Sequence, residues 1–222
     1  MTYDAEHYNS KWKSVIKDMP KGGSYHFDLR QYGHNIVKNY IEEGSSVFDY
    51  ACGLAVLSAQ LEKDKRCKVS GCDLSEVAVN YANDNTNGAF TVGSDIQGDY
   101  DYILGLQFLE HIPDPVEWLN LAFKHTDTII CLLPNNFRHA GEHKNMQWSS
   151  WGQFQKLFKG FKWERIDKDK YPRGLSESYK HPVIVFTQTK KKEVINDSSI
   201  NVHAEYPIRK RSKRTRKNAK TL

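Results

Sequence analysis

Hydrophobic and polar positions along the chain follow two different periods. Residues 5–18 and 28–42 place apolar side chains every three or four positions, which predicts two helices. From residue 45 onward, short apolar runs alternate with segments of helical spacing. Seven runs are predicted as strands: SSVFDYA, CKVSGCDL, AFTVGSD, DYDYILGL, DTIICLLP, FKWERIDKD and HPVIVFTQT. Such alternation predicts an α/β fold, a mostly parallel sheet with helices on both faces.

The segments between these strands carry helix signals. Residues 55–63 have helical spacing, Ser75 is placed to cap a helix that runs to about residue 85, and Asp114 with Pro115 opens the next helix. WSSWGQFQKLF combines a serine cap with helical periodicity. The last strand, HPVIVFTQT, is expected at the sheet edge or as a hairpin partner.

Composition and charge divide the chain into a body and a tail. Of 222 residues, 39% are hydrophobic and 27% charged, as in a globular domain. The net charge is +5, but residues 207–222 contribute +8 with no acid, which leaves −3 for residues 1–206. We predict that residues 190–222 form a linker and a disordered basic tail. Such a tail suits a nucleic acid or another acidic partner, a nuclear-targeting signal, or simple solubilisation.

No apolar run reaches the roughly 18 residues that a membrane-spanning helix needs, and the N-terminus lacks the apolar core of a secretory signal. The four cysteines show no paired C-x-x-C spacing, so buried, reduced thiols are expected rather than a zinc site or disulfides. These features favour a cytoplasmic protein with no transmembrane segment, or a nuclear one if the tail directs it there.

The turn after the first predicted strand carries the first candidate chemistry. VFDYACGLAVLSAQL ends a strand near Asp49 and contains the single glycine Gly53, so it is not a G-x-G-x-x-G dinucleotide turn. Asp73 ends the second strand 24 residues later, where a carboxylate can hold two ribose hydroxyls. A nucleoside-binding site without a pyrophosphate cradle fits this pattern.

These residues resemble the class I S-adenosylmethionine-dependent methyltransferases. Asp49, Cys52 and Gly53 match an acid followed by x-G-C-G-x-G, with Ala51 and Ala55 where glycines are common. GCDLSEVAVNYA, VGSDI and DYDYILGLQFLEHIPDP resemble the next three motifs. The last ends in L-E-H-x-x-D-P, as in a broad subgroup that includes ubiquinone-pathway O-methyltransferases.

The resemblance implies a Rossmann-like, seven-stranded methyltransferase fold with S-adenosylmethionine as cofactor. It implies cofactor contacts from Asp49, Gly53, Asp73, Leu74, Asp95, Ile96 and Leu106, and from Arg30 unless that residue is a solvated helix charge. The two alanines are expected to be tolerated wherever their φ is negative, and the site to be altered but retained.

Methyl transfer needs an acceptor held close to the methyl group and, for a hydroxyl or amine, a base. His111 and Glu110 follow the fourth strand and are the predicted catalytic pair; the alternatives are a structural histidine and a solvated glutamate. Small-RNA 3′-terminal methyltransferases carry a metal-binding E-x-x-E-H here and a further histidine. This chain has Gln107-x-x-Glu110-His111 and His143. Because Gln107 replaces a glutamate, we predict no metal.

Three functions stay open at this point. The first is methyl transfer to an O or N atom of a small molecule, the second is methylation of RNA or another nucleic acid with help from the tail, and the third is a catalytically inactive relative that binds cofactor or nucleic acid. The expected domains are N-terminal helices packing on the cofactor site in residues 1–45, the methyltransferase core in 46–189, and the tail. A monomer or weak dimer is expected.

Overall fold

The computed structural model describes residues 4–19, 27–134, 143, 146–176 and 180–188. Its helices are α1 (Ala5–Asp18), α2 (Phe27–Tyr40), α3 (Val56–Lys65), α4 (Glu76–Asn85), α5 (Pro115–Ala122) and α6 (Trp151–Leu157). Its strands are β1 (Ser46–Tyr50), β2 (Lys68–Asp73), β3 (Ala89–Val92), β4 (Tyr102–Leu106), β5 (Thr128–Leu132), β6 (Lys162–Arg165) and β7 (Val183–Thr187). The predicted tail lies outside the described residues.

The strands form one seven-stranded sheet in the order β3-β2-β1-β4-β5-β7-β6. Strand β7 runs antiparallel to both of its neighbours, and the other pairs are parallel. The predicted fold is therefore confirmed. The expected hairpin partnership of the last strand is also observed, but its edge position is wrong. Strand β7 is an interior strand whose residues Val183–Phe186 are fully buried, and β6 forms the edge.

Alternate residues of the central strands enter two separate cores, because successive side chains of a strand point to opposite faces. One core holds Phe48, Ile103 and Ile129 with apolar residues of α5 and α6. The other holds Leu104 and Ile130 with apolar residues of α2, α3 and α4. Helices thus cover both faces of the sheet, and its strand ends remain the place for a site.

Side-chain caps fix where most of the described helices begin. Asp4, Ser75, Asp114 and Ser150 each accept a hydrogen bond from the backbone N–H three residues later. Helix α3 differs, because it follows Ala55 in a left-handed conformation with no side-chain cap. None of the helices that the structure describes combines the length and the apolar character required to cross a bilayer.

Candidate cofactor and catalytic site

The order of the strands reverses between β1 and β4, and the candidate residues lie around the carboxyl ends of these strands. In open α/β sheets this crevice is where ligands bind. Asp49 is the fourth of five residues in β1, and Asp73 is the last residue of the neighbouring β2. Glu110 and His111 follow β4. The topology therefore gathers the two halves of the predicted site at one edge of the sheet.

Asp73 and Gly53 join the turns that follow β1 and β2. The Gly53 N–H donates to Asp73 Oδ2 at 2.9 Å, and the Ser75 N–H donates to Asp73 Oδ1 at 2.9 Å. Asp73 is buried, and burial raises its pKa, while the two backbone N–H groups and the positive charge of Lys11 act in the opposite direction. Each carboxylate oxygen keeps a second acceptor site. The carboxylate is thus fixed in place with capacity for a further donor such as a sugar hydroxyl.

Asp49 lies deeper in the sheet than Asp73. It is 3% exposed, and its Oδ2 accepts a hydrogen bond of 2.7 Å from the Ser58 hydroxyl of α3. Burial raises the pKa of Asp49 to about 7, and the negative charge of Asp73 adds to the rise, while the Ser58 bond opposes it. Its role as a cofactor contact stays a prediction.

Three residues of the turn after β1 adopt left-handed backbone conformations: Ala51 with φ 55°, Gly53 with φ 53° and Ala55 with φ 50°. The condition under which the two alanines were expected to be tolerated, a negative φ, is met at neither position. Each alanine pays a steric cost of about 1–2 kcal/mol, because its Cβ crowds the following carbonyl group. The turn keeps the shape that glycines adopt easily, although only its centre is still glycine.

Two contacts from α1 to this turn were missed by sequence reasoning. Trp12 lies against Gly53, because a Cβ built on Gly53 would be only 2.6 Å from Trp12 Cζ2. Asn9 Oδ1 accepts hydrogen bonds from the Ser75 hydroxyl at 2.7 Å and from the Val77 N–H at 3.2 Å. No local signal predicts such contacts, since they join segments more than 40 residues apart in sequence.

The remaining predicted cofactor residues surround this centre. Leu74 is 43% exposed, an open apolar side chain directly after Asp73. Asp95 is exposed after β3, whereas Ile96 is buried in the core on one face of the sheet. The remaining two lie on regular elements: Leu106 is the last residue of β4, and Arg30 lies in α2 with its side chain outside the described part. Their roles as cofactor contacts stay predictions.

The end of β4 holds a cluster of three chemical groups. Glu110 is fully buried, its Oε1 lies 4.0 Å from His111 Nε2, and the rings of His111 and His143 meet edge to face at 5.1 Å. One ligand-type atom from each residue lies within 4.8 Å of the others. The alternative of a solvated Glu110 is therefore wrong. Its negative charge even contributes, after burial itself, to a raised pKa of the Cys131 thiol in β5.

Gln107 does not join this cluster. Its backbone is left-handed with φ 53°, and its side-chain amide donates to the Leu132 carbonyl at 3.3 Å and lies 3.4 Å from His181 Nδ1. Of the four residues in the predicted metal-binding pattern, Glu110, His111 and His143 thus lie together. The first, Gln107, instead contacts the end of β5 and the residues just before β7.

A family model described as a methyltransferase domain matches residues 25–166, which is more than half of the chain. The chain belongs to the methyltransferase-domain family. The predicted class of enzyme is thereby confirmed. No curated protein matches the sequence of this methyltransferase.

Solved structures support the fold of the methyltransferase. Magnesium protoporphyrin IX methyltransferase from Synechocystis, with bound S-adenosylmethionine, has a TM-score of 0.59 at 18% identity, covering 83% of this chain and 95% of that one. A TehB-like S-adenosylmethionine-dependent methyltransferase from Corynebacterium glutamicum has 0.58 at 17% identity, covering 82% and 98%. The plantazolicin methyltransferase BpumL, in complex with S-adenosylhomocysteine, has 0.57 at 15% identity, covering 82% and 94%.

The residues of the methyltransferase fit the cofactor expected from its sequence. Gly53 adds no side chain of its own to the turn, and Asp73 can accept hydrogen bonds from ribose hydroxyls. Leu74 offers an exposed apolar surface for the adenine ring. These features combine a carboxylate that can accept from sugar hydroxyls with a glycine turn whose one side is covered by the Trp12 ring.

Proposed function

We propose that this chain is a class I methyltransferase that uses S-adenosylmethionine to methylate an O or N atom of a small molecule. We place it in the broad subgroup that carries the L-E-H-x-x-D-P segment. The observation that carries the proposal is the pairing of Gly53 and Asp73, whose hydrogen bond of 2.9 Å joins the turns after β1 and β2 beside the point of strand reversal.

The division of labour follows from the two halves of the site. S-adenosylmethionine, when bound, supplies a methyl group that its sulfonium already activates. Gly53, Asp73 and Leu74 hold and orient the nucleoside, so the protein acts mainly by positioning. The second half, at the end of β4, faces the acceptor.

At the acceptor side, His111 takes the proton that a hydroxyl or amine must lose, since an ordinary imidazole has a pKa near neutrality. In a neutral imidazole one ring nitrogen carries a hydrogen and the other accepts. Glu110, with its Oε1 4.0 Å from His111 Nε2, favours a hydrogen on that nitrogen and compensates the positive charge of the protonated ring. Glu110 is thus a positioning residue, and His111 is the base.

A small acceptor is favoured over a nucleic acid by two considerations. Residues 1–206, which contain the site, sum to −3, a charge that repels phosphates. One structural neighbour is named for magnesium protoporphyrin IX, a small molecule. The basic tail supports the nucleic-acid alternative, which predicts that removal of residues 190–222 lowers activity and that activity falls steeply with salt.

Calorimetry with S-adenosylhomocysteine tests the proposal. The wild-type protein should bind it, and Asp73→Asn should weaken binding at least ten-fold, because the amide loses the charge and one acceptor oxygen. Asp84→Asn, at an exposed position on α4, is the matched control and should leave affinity unchanged. Absence of binding to the wild-type protein would support the inactive relative. Equal affinities of the two variants would refute the position of the site.

A transfer assay with labelled methyl groups, run on metabolite, protein and nucleic-acid fractions of a cell extract, identifies the acceptor class. With that acceptor, His111→Asn should lower kcat at least 100-fold with unchanged cofactor affinity. EDTA should leave the rate unchanged, because the proposal uses His111 as a base. If EDTA abolishes activity and a divalent cation restores it, Glu110, His111 and His143 are instead metal ligands, and the base role is wrong.

A further inference from the structure

Helix α1 is docked beside the Gly53 turn by specific contacts. Asn9 accepts hydrogen bonds from the hydroxyl of Ser75, which caps α4, and from the N–H of Val77, the second residue of α4. Lys11, on the same helix, is close enough for its positive charge to favour the ionised form of Asp73. The helix therefore presents one face to the two turns that form the proposed nucleoside site.

Trp12 is the residue of that face which reaches the turn. Measured from the position that a Cβ of Gly53 would take, Trp12 Cζ2 lies at 2.6 Å, Cη2 at 2.8 Å and Cε2 at 3.5 Å. These atoms belong to the six-membered ring of the indole, and Cε2 is bonded to Nε1, so the N–H lies one bond beyond the atoms that meet the turn. Trp12 thus closes one side of the space above Gly53.

The indole N–H is buried. Trp12 Nε1 is shielded from solvent and has no hydrogen-bond partner among the residues that the structure describes. A buried donor without an acceptor is unfavourable, and buried N–H groups of tryptophan usually find a partner. Such an atom beside a ligand site indicates that the ligand itself supplies the acceptor.

We propose that Trp12 is a cofactor-binding residue whose indole N–H donates a hydrogen bond to an oxygen atom of the bound cofactor. The inference rests on the proposed function, since it takes the space over Gly53 as the cofactor site. The acceptor is a ribose oxygen or the carboxylate of the amino-acid part. Trp12 adds a contact from outside the sheet to those that the strand ends provide, and α1 becomes part of the binding site.

Affinity measurements with two ligands test this role. Trp12→Phe keeps an aromatic ring but removes the N–H, and it should weaken binding of S-adenosylhomocysteine about 5- to 10-fold. Trp12→Ala also removes the ring and should weaken it further. The parallel titration uses 5′-methylthioadenosine, which lacks the carboxylate. An effect of Trp12→Phe on both ligands assigns the acceptor to the ribose, and an effect on S-adenosylhomocysteine alone assigns it to the carboxylate.

The matched control is Trp163→Phe, on edge strand β6 at the far side of the sheet from β2. It should leave both affinities unchanged. Unfolding curves of each variant show whether the fold is kept.

A spectroscopic readout makes the test independent of how well the variants fold. The wild-type chain has five tryptophans and hence five indole N–H resonances. The resonance of Trp12, assigned by sequential triple-resonance experiments, should shift on saturation with S-adenosylhomocysteine, and its hydrogen exchange should slow. The resonance of Trp163 should stay in place.

The outcomes separate this inference from the function on which it rests. If S-adenosylhomocysteine binds the wild-type protein but the Trp12 resonance does not move and Trp12→Phe binds equally well, only the role of Trp12 is overturned. If Trp12→Ala binds more tightly, Trp12 obstructs the site, which also overturns it. If the wild-type protein does not bind the ligand, both proposals fail.

Discussion

The turns after β1 and β2 lie side by side and share the bond from Gly53 to Asp73, yet they are built in opposite ways. The turn after β2 follows local rules, since Ser75 adopts an extended conformation and caps α4 with its hydroxyl. The turn after β1 breaks them, with Ala51 and Ala55 in left-handed conformations and α3 without a side-chain cap. Residues that break local rules concentrate at functional sites.

The acids at the two strand ends differ in the same way. Asp73 is held by two backbone N–H groups and is attracted by Lys11, whereas the buried Asp49 has the Ser58 hydroxyl as its hydrogen-bond partner. The comparison teaches that the Asp73 turn adopts ordinary backbone conformations and is stabilised by hydrogen bonds of its own and by contacts from the Gly53 turn and α1. The Gly53 turn is held in a costly shape by its surroundings.

Substitution of Gly53 should have the largest effect on this contrast. Gly53→Ala combines left-handed strain of about 1–2 kcal/mol with overpacking against the Trp12 ring of about 1–3 kcal/mol. The free energy of unfolding, measured by denaturant titration, should fall by about 2–5 kcal/mol. Gly44→Ala is the control, since Gly44 has φ 78° with open space around it and should show the strain alone. Equal losses in the two variants would mean that Trp12 does not constrain the turn.

The pH dependence of stability tests the buried acid. Burial raises the pKa of Asp49 from 3.8 to about 7 in the folded protein, so between these values the folded state holds a proton that the unfolded chain has released. Stability from this group is therefore lost as the pH rises from about 4 to about 7. Asp49→Asn removes this loss. The free energy of unfolding of this variant should equal that of the wild type near pH 4 and exceed it by about 2–4 kcal/mol at pH 8.

Asp101→Asn provides a control of opposite sign for that experiment. Hydrogen bonds from the Ser46 N–H and hydroxyl hold the pKa of Asp101 below its usual range. The ionised Asp101 carboxylate stabilises the fold above the ordinary carboxyl pKa, and this stabilisation is lost in acid. Asp101→Asn should therefore have a lower free energy of unfolding than the wild type at neutral pH. If Asp49→Asn and the wild type differed in free energy of unfolding by the same amount at every pH between about 4 and about 8, the raised pKa of Asp49 would be contradicted.

The smallest expected effect comes from relief of the strained alanines. Ala51→Gly and Ala55→Gly should each raise the free energy of unfolding by about 0.5–1 kcal/mol, because the strain at positive φ exceeds the greater entropy of unfolded glycine. Ala59→Gly, within α3, should lower it by about 1 kcal/mol, the usual cost of glycine in a helix. Thermal unfolding of the three variants checks the signs. A loss in all three would show that the turn is not strained.

The fold was predictable from sequence because its signals are local. All seven strands and the caps at Ser75 and Asp114 follow from apolar runs and from residues within three positions. The interior position of β7 was not predictable, since strand order depends on long-range pairing. Its run of four buried residues is consistent with an interior strand, but a strand in an apolar hairpin has the same sequence pattern.

The candidate site was only partly predictable. The carboxylates and Gly53 stand out by their spacing, but the positive φ angles of Ala51 and Ala55 are not expected of alanine, which disfavours this conformation. The contact of Trp12 with Gly53 joins two distant segments and has no signature in either. The burial of Glu110 depends on residues of other elements packed around the end of β4.

The interior position of β7 has a consequence for how the chain is made. Because synthesis proceeds from the N-terminus, β5 emerges long before its neighbour β7, and its apolar edge must wait unpaired while β6 and the following loop are added. An open, apolar strand edge is a template for association with other chains. We therefore expect a chain that ends before Val183 to associate with other chains rather than to form a smaller working enzyme.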